Sequence, residues 1–167
     1  MPHLISLIGP NADQCPSEMY QFGRQMGRAL RQASYWLVCG GLGGWMEAVC
    51  RGAHEADNYT FGTTIGFLPG HERREANPYC DIVIPTGMGL ARNLLVVQAG
   101  TVVVAVAGGG GTLSEIALAW QLNKKIIAYT GFEGWAKVLA DTSLDQRRHD
   151  HLIAAATIEE VLQHLPK

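Results

Sequence analysis

A chain of 167 residues with 47% hydrophobic and 17% charged side chains has the size of one domain with a sizeable core and is too apolar for a disordered tail. Thirteen basic residues against fifteen acidic ones leave a net charge of −2, with no electrostatic footprint for nucleic acid. The outlying figure is glycine: 20 of 167 residues, about 12% against an average near 7%.

The elements follow in chain order. Leu4 to Ile8 reads as a strand, broken by Gly9-Pro10-Asn11. Ser17 to Ala33 has helical spacing, with Met19, Phe22, Met26 and Leu30 at steps of three and four. Tyr35 to Cys39 is a second strand and Met46 to Ala56 a helix. Thr63 to Leu68 is a third strand, ended by the turn signal Pro69-Gly70. His71 to Tyr79 reads as a charged loop, Asp81 to Pro85 as a short strand and Leu90 to Ala99 as a helix. Thr101 to Ala107 is an almost wholly apolar strand, and Thr112 to Leu122 a helix. Ile126 to Tyr129 (strand), Phe132 to Ala140 (helix), Leu152 to Ala156 (strand) and Ile158 to Leu165 (helix) complete the chain, with Thr157 and Glu160 as a capping box. The strands are continuous apolar runs, as suits parallel strands covered on both faces. The expectation is a single Rossmann-like α/β domain spanning 1–167: a doubly wound, mainly parallel sheet of about seven strands with helices on both faces.

Eight of the glycines sit in two clusters, Gly40-Gly41-Leu42-Gly43-Gly44 and Gly108-Gly109-Gly110-Gly111, each directly after a strand and before a helix. Ligands of open α/β sheets bind outside the carboxyl ends of the strands, where glycine lets a ligand approach the backbone and a helix start favours an anion. Glycines that merely permit tight turns are the competing reading. Gly9 stands alone after the first strand, so the G-x-G-x-x-G dinucleotide fingerprint is absent, and no G-K-[ST] follows either cluster. Thr86-Gly87-Met88-Gly89 offers flexible backbone at a third strand end. Arg92, read in the first turn of a helix where the dipole disfavours a cation, is either a solvated surface residue or a partner for an anion. Thr112 and Glu115 have capping-box spacing, which is compatible with ligand contact.

The four cysteines, Cys15, Cys39, Cys50 and Cys80, are never closer than eleven residues, so no C-x-x-C pair exists and reduced structural thiols are expected. His149-Asp150-His151 lacks a third ligand, and no metal site is expected. Met1 to Ser6 has no basic region followed by a long apolar run, and no segment reaches the roughly 18 apolar residues of a membrane span. A cytoplasmic protein without membrane partners is the expectation.

Three ordered stretches carry a family resemblance: Gly40-Gly41-Leu42-Gly43-Gly44-Trp45-Met46-Glu47-Ala48, Thr86-Gly87-Met88-Gly89-Leu90-Ala91-Arg92-Asn93 and Gly108-Gly109-Gly110-Gly111-Thr112-Leu113-Ser114-Glu115. From Leu4 to about Tyr129 the chain resembles the molybdenum-cofactor carrier proteins. More distantly it is similar to the LONELY GUY phosphoribohydrolases within the lysine decarboxylase-like Rossmann proteins. The carrier resemblance implies a binding protein for a phosphorylated pterin, with molybdenum cofactor (molybdopterin) as cargo. It also implies a homodimer or homotetramer, and molybdoenzymes or cofactor-insertion proteins as partners. The implied ligand and phosphate contacts are Gly9, Gly40, Gly41, Gly43, Gly44, Met46, Thr86, Gly87, Met88, Arg92, Asn93, Gly108, Gly109, Gly110, Gly111, Thr112 and Glu115. The hydrolase resemblance would make Arg92 and Glu115 catalytic, cutting the N-glycosidic bond of a nucleoside 5′-monophosphate. Three positions depart from the enzymes and favour the carrier: Ala107 replaces a proline, Ser114 a glutamate and Asn93 a lysine. A non-catalytic nucleotide-sensing module is the third reading.

Overall fold

The computed structural model describes residues 3–167; Met1 and Pro2, part of the amino-terminal stretch read above, lie outside the described residues. Seven strands form one all-parallel sheet: β1 (Leu4–Ile8), β2 (Trp36–Cys39), β3 (Thr64–Leu68), β4 (Ile82–Pro85), β5 (Val102–Val106), β6 (Lys125–Tyr129) and β7 (Ile153–Ala155). Their order is β4-β3-β2-β1-β5-β6-β7. The chain starts at the middle strand, winds outward to β4, then returns to lay β5 against β1, with Ile5 opposite both Leu37 and Val102. The winding direction therefore reverses between β1 and β5, and a crevice opens at the carboxyl ends of that pair.

Among the described residues six α-helices cover the sheet: α1 (Ser17–Gln32), α2 (Trp45–His54), α3 (Asn93–Ala99), α4 (Gly110–Gln121), α5 (Trp135–Leu139) and α6 (Ile158–Gln163). Successive side chains of a strand point to opposite faces, so each apolar strand feeds two cores. In β5, Val102, Val104 and Val106 pack beneath α1, α2 and α6 with Met26, Leu30, Trp45, Val49 and Val161. Val103 and Ala105 pack beneath α3, α4 and α5 with Val96, Ile116, Trp120 and Ala136. That double covering is why the strands read as unbroken apolar runs.

Most element ends fall within two or three residues of the sequence expectation. The charged loop contains one short 3-10 turn, Arg73–Glu75. The capping box of α6 is present, with Glu160 N–H donating to Thr157 Oγ1 at 3.1 Å, while the Glu160 carboxylate reaches back to Ala156 N–H at 2.6 Å. The expected box at Thr112 and Glu115 does not form. Helix α4 begins two residues earlier, at Gly110 with Gly109 as its cap, and no side chain caps it. Glu115 is thus a full turn and a half into the helix, too far to reach the cap. The expected helix from Leu90 opens instead as a 3-10 turn, Gly89–Arg92, before α3.

Helices α1 and α2 meet at backbone distance. A Cβ added at Gly27 would lie 1.9 Å from the Val49 carbonyl oxygen, and one at Gly52 1.9 Å from that of Arg24. Both partners are rigid helical backbone, so the contact cannot relax by a side-chain rotation. Gly27→Ala should therefore cost about 3 kcal/mol, the upper end for overpacking, read as a lowered Tm.

Candidate functional site

A cleft of about 350 Å³ occupies the crevice at the β1/β5 reversal, within the usual size range of small-ligand sites. One wall is the segment following β1, from Gly9 and Pro10 through Asn11, Asp13 and Gln14. The opposite wall is the glycine start of α4, Gly109, Gly110 and Gly111. Gly40, Leu42 and Met46 form the side beneath α2, Leu90 stands at the rim, and Arg92, Asn93, Thr112 and Glu115 lie at the back.

The two glycine clusters are not equivalent. The start of α2 is already engaged: Trp45 N–H donates to the Pro10 carbonyl at 3.1 Å. A Cβ on Gly44 would fall 2.5 Å from the Asn11 backbone, and Glu47 places a carboxylate in the first turn. The start of α4 is open. Among the described residues nothing lies within 4 Å of a Cβ built on Gly110 or Gly111, and the first turn carries no acidic residue. Its unpaired N–H groups and positive dipole end face the cleft.

The turn into α4 is held from behind. Ala107, at φ +48°, takes a left-handed conformation rare for a non-glycine residue. Proline, locked near −65°, cannot adopt it, which gives a physical reason for the departure from the enzyme motif. The Ala107 and Gly108 carbonyls accept Ala136 N–H and Trp135 N–H, both at 3.0 Å, so α5 pins the turn.

Arg92 is buried, only 8% exposed, and the solvated-surface reading does not apply. Gly40 makes room for it: a Cβ there would sit 2.5 Å from Arg92 Nη2. Arg92 Nη1 donates to Asn93 Oδ1. Asn93 Nδ2 in turn donates to Ser114 Oγ at 3.1 Å, and that hydroxyl donates to the Gly111 carbonyl at 2.7 Å. Asn93 and Ser114, two of the positions that depart from the enzymes, thus form one chain linking Arg92 to α4. The Glu115 carboxylate lies 3.8 Å from Arg92 Nη1, an ion pair without a hydrogen bond. Arg92 Nε, also buried, has no partner among the described residues. Burial pushes the Glu115 carboxyl up to about 7, against the opposing pull of the Arg92 guanidinium. Burial likewise lowers the affinity of Arg92 for its proton, with Glu115 and Cys39 opposing.

Of the residues named from sequence, the cleft brings together Gly9, Gly40, Met46, Arg92, Asn93, Gly109, Gly110, Gly111, Thr112 and Glu115. The others do not line it. Gly41 and Gly43 turn toward Leu68 and Ala12, and Gly44 packs on Asn11. Thr86 donates its hydroxyl to the Leu68 carbonyl at 2.7 Å, Gly87 N–H bonds the Gly70 carbonyl at 2.9 Å, and Met88 is solvent-exposed. Gly108 lies beneath the Thr112 side chain. Missing from the sequence reading are Pro10, Asn11, Asp13, Gln14, Leu42 and Leu90; the Gly9-Pro10-Asn11 break after the first strand is the signal that points to the first four.

The cysteines have an arrangement that their spacing does not reveal. Although far apart in sequence, Cys39, Cys50 and Cys80 gather their sulfurs within 4.8 Å of one another behind Gly40. All four thiols are free.

A family model for the SLOG cluster4 family matches residues 2–162. The chain belongs to this family. Among solved structures, a structural-genomics target is 31% identical, with a TM-score of 0.86, covering 98% of this chain and 97% of its own. The molybdenum cofactor binding protein of Rippkaea orientalis is 29% identical, with a TM-score of 0.83 over 98% and 94% of the two chains. The molybdenum cofactor carrier protein of Chlamydomonas reinhardtii is 30% identical, with a TM-score of 0.80 over 98% and 95%. No helix among the described residues is long and apolar enough to cross a membrane.

The raised Glu115 proton affinity carries a sign. Its folded value of about 7 lies above the ordinary 4.5, so the stability it contributes is complete below pH 4.5 and is lost as pH rises through 7. Between pH 4.5 and 8, urea unfolding should show the wild type losing about 3 kcal/mol more than Glu115→Gln. Parallel pH profiles for the two proteins would contradict the burial of this carboxyl.

Proposed function

We propose that this SLOG cluster4 protein is a carrier that binds molybdenum cofactor, a phosphorylated pterin, without cutting it. The supporting observation is the uncapped, glycine-only start of α4 facing the buried Arg92 across one cleft. The terminal phosphate fits the α4 start, where backbone N–H groups and the helix dipole converge. Arg92 supplies the full positive charge, held in place by the Asn93–Ser114 chain. The pterin ring then runs toward the segment after β1, where Asn11 and Gln14 offer amide groups and Leu42 and Met46 an apolar side. Solved relatives named for binding and carrying molybdenum cofactor support the same reading.

Gly109→Val tests the cradle with little risk to the fold, because among the described residues its Cβ would meet only the flexible Gln14 side chain, at 3.3 Å. It should weaken binding of molybdenum cofactor at least about tenfold, or about 1.4 kcal/mol, measured by titration. Unchanged affinity would move the ligand elsewhere.

The hydrolase reading has one observation in its favour. A buried carboxyl with a proton affinity near neutrality, Glu115, suits general acid chemistry. Incubation with a panel of nucleoside 5′-monophosphates should release no free base. Release that disappears in Glu115→Ala would replace the carrier assignment with a phosphoribohydrolase.

We also propose that copies of the chain associate through the face shared by α3 and α4. There a groove of about 670 Å³ runs past Leu90, Leu94, Ala117 and Leu118, with Leu90 84% and Leu94 42% exposed. Exposed apolar side chains gathered along one groove suit a contact between copies. Leu94→Arg should shift the sedimenting species to the monomer; an unchanged oligomer would place the interface elsewhere.

A further inference from the structure

Behind the cleft, at the end of β2, three sulfurs converge from three separate elements: Cys39 from β2, Cys50 from the middle of α2 and Cys80 from the turn before β4. Cys39 Sγ lies 3.7 Å from Cys50 Sγ, and Cys50 Sγ 3.8 Å from Cys80 Sγ, with all three within 4.8 Å of one another. These distances are too long for a disulfide, whose sulfurs stand about 2.05 Å apart. They match a shared metal. An atom bound to three sulfurs at about 2.3 Å, the usual zinc–thiolate length, sits in a sulfur triangle with sides of about 4.0 Å.

The surroundings are built around these sulfurs. Gly66 lies within β3, where a side chain would ordinarily pack; a Cβ there would fall 2.8 Å from Cys80 Sγ and 2.9 Å from Gly41 Cα. Its absence admits both. Gly41 N–H donates to Cys39 Sγ at 3.4 Å, and the buried Asn77 amide donates to Cys80 Sγ at 3.4 Å. Asn77 also clamps the turn by donating to the Gly41 and Leu42 carbonyls at 3.2 and 2.9 Å. Donors of this kind orient and stabilise metal-bound thiolates.

We propose that Cys39, Cys50 and Cys80 form a three-coordinate site for a soft monovalent cation, Cu(I). Zinc prefers a fourth ligand; no His, Asp or Glu joins the three sulfurs within the same reach among the described residues. Three thiolates without a hard oxygen donor select copper in its reduced state. Cys39 and Cys50 are fully buried, while the half-buried Cys80 stands at the entry. Binding forms three Cu–S bonds, and the thiol protons are released to solvent; no electron is transferred. The site stands independently of the ligand assigned to the cleft.

Cu(I) titration of the reduced, full-length protein against a competing Cu(I) chelator tests this directly, followed by X-ray absorption to count sulfur neighbours. The expected result is one copper per chain with three sulfur neighbours in the wild type, and the same in Cys15→Ser. Cys50→Ser and Cys80→Ser should each fail to hold copper against the chelator, with folding checked by circular dichroism. Cys80→Ser alters only the half-buried member, so the test survives if the buried Cys50 variant does not fold. No retained copper in the wild type, equal retention in Cys80→Ser, or preferential retention of zinc with a fourth ligand would each overturn the assignment.

Discussion

The cleft depends on one constraint: a guanidinium kept nearly out of water at the carboxyl end of a parallel sheet. Arg92 reaches that position only because Gly40 has no side chain, since a Cβ there would overlap Nη2. Removing a charge from water costs several kcal/mol unless it is paired and hydrogen-bonded. Arg92 is only partly compensated: it has Asn93 Oδ1 and a carboxylate at 3.8 Å, while its Nε is unpartnered among the described residues. Glu115 is itself pushed toward its neutral form by burial, so the ion pair does not balance the site at neutral pH. The surplus is positive and faces the cleft, next to a helix start that is also positive. An anion seated there satisfies both.

The rest of the fold serves this arrangement. Returning β5 to the side of β1 opens the crevice, and α5 holds the Ala107–Gly108 turn so that α4 points its first N–H groups into it. The first glycine cluster contributes in a different way. Its helix start is closed by the Pro10 carbonyl, and its remaining roles are close packing and room for Arg92. Two clusters that look alike in sequence thus divide the work, one clearing space for a cation and the other presenting backbone donors.

The sheet is legible from sequence because strands buried on both faces leave a simple trace, as in Val102–Val106, and α1 is legible because its apolar residues repeat at helical spacing. The second glycine cluster is legible as an open helix start for a local reason: a helix start with no side chains can be read from consecutive residues. What escapes is non-local. Nothing within the sequence near Arg92 shows that Gly40, 52 residues earlier, shelters it. Gly27 and Gly52 look like stray helix breakers until α1 and α2 are seen in backbone contact. The clustering of Cys39, Cys50 and Cys80 escapes for the same reason, since three elements bring together sulfurs that no short motif records. The α4 cap is misplaced because Thr112 and Glu115 have box spacing, yet the helix starts at Gly110, where glycine hides the boundary.

The glycine excess is therefore shared between two physical tasks, close helix packing and a positively charged, backbone-lined cleft. The measurement that bears most directly on the second is the affinity for molybdenum cofactor compared with the same pterin lacking its terminal phosphate, in the wild type and in Arg92→Ala. The account predicts that the phosphate improves wild-type binding by at least about tenfold and that most of this advantage disappears without Arg92. Equal affinity of the two ligands for the wild-type protein would contradict it.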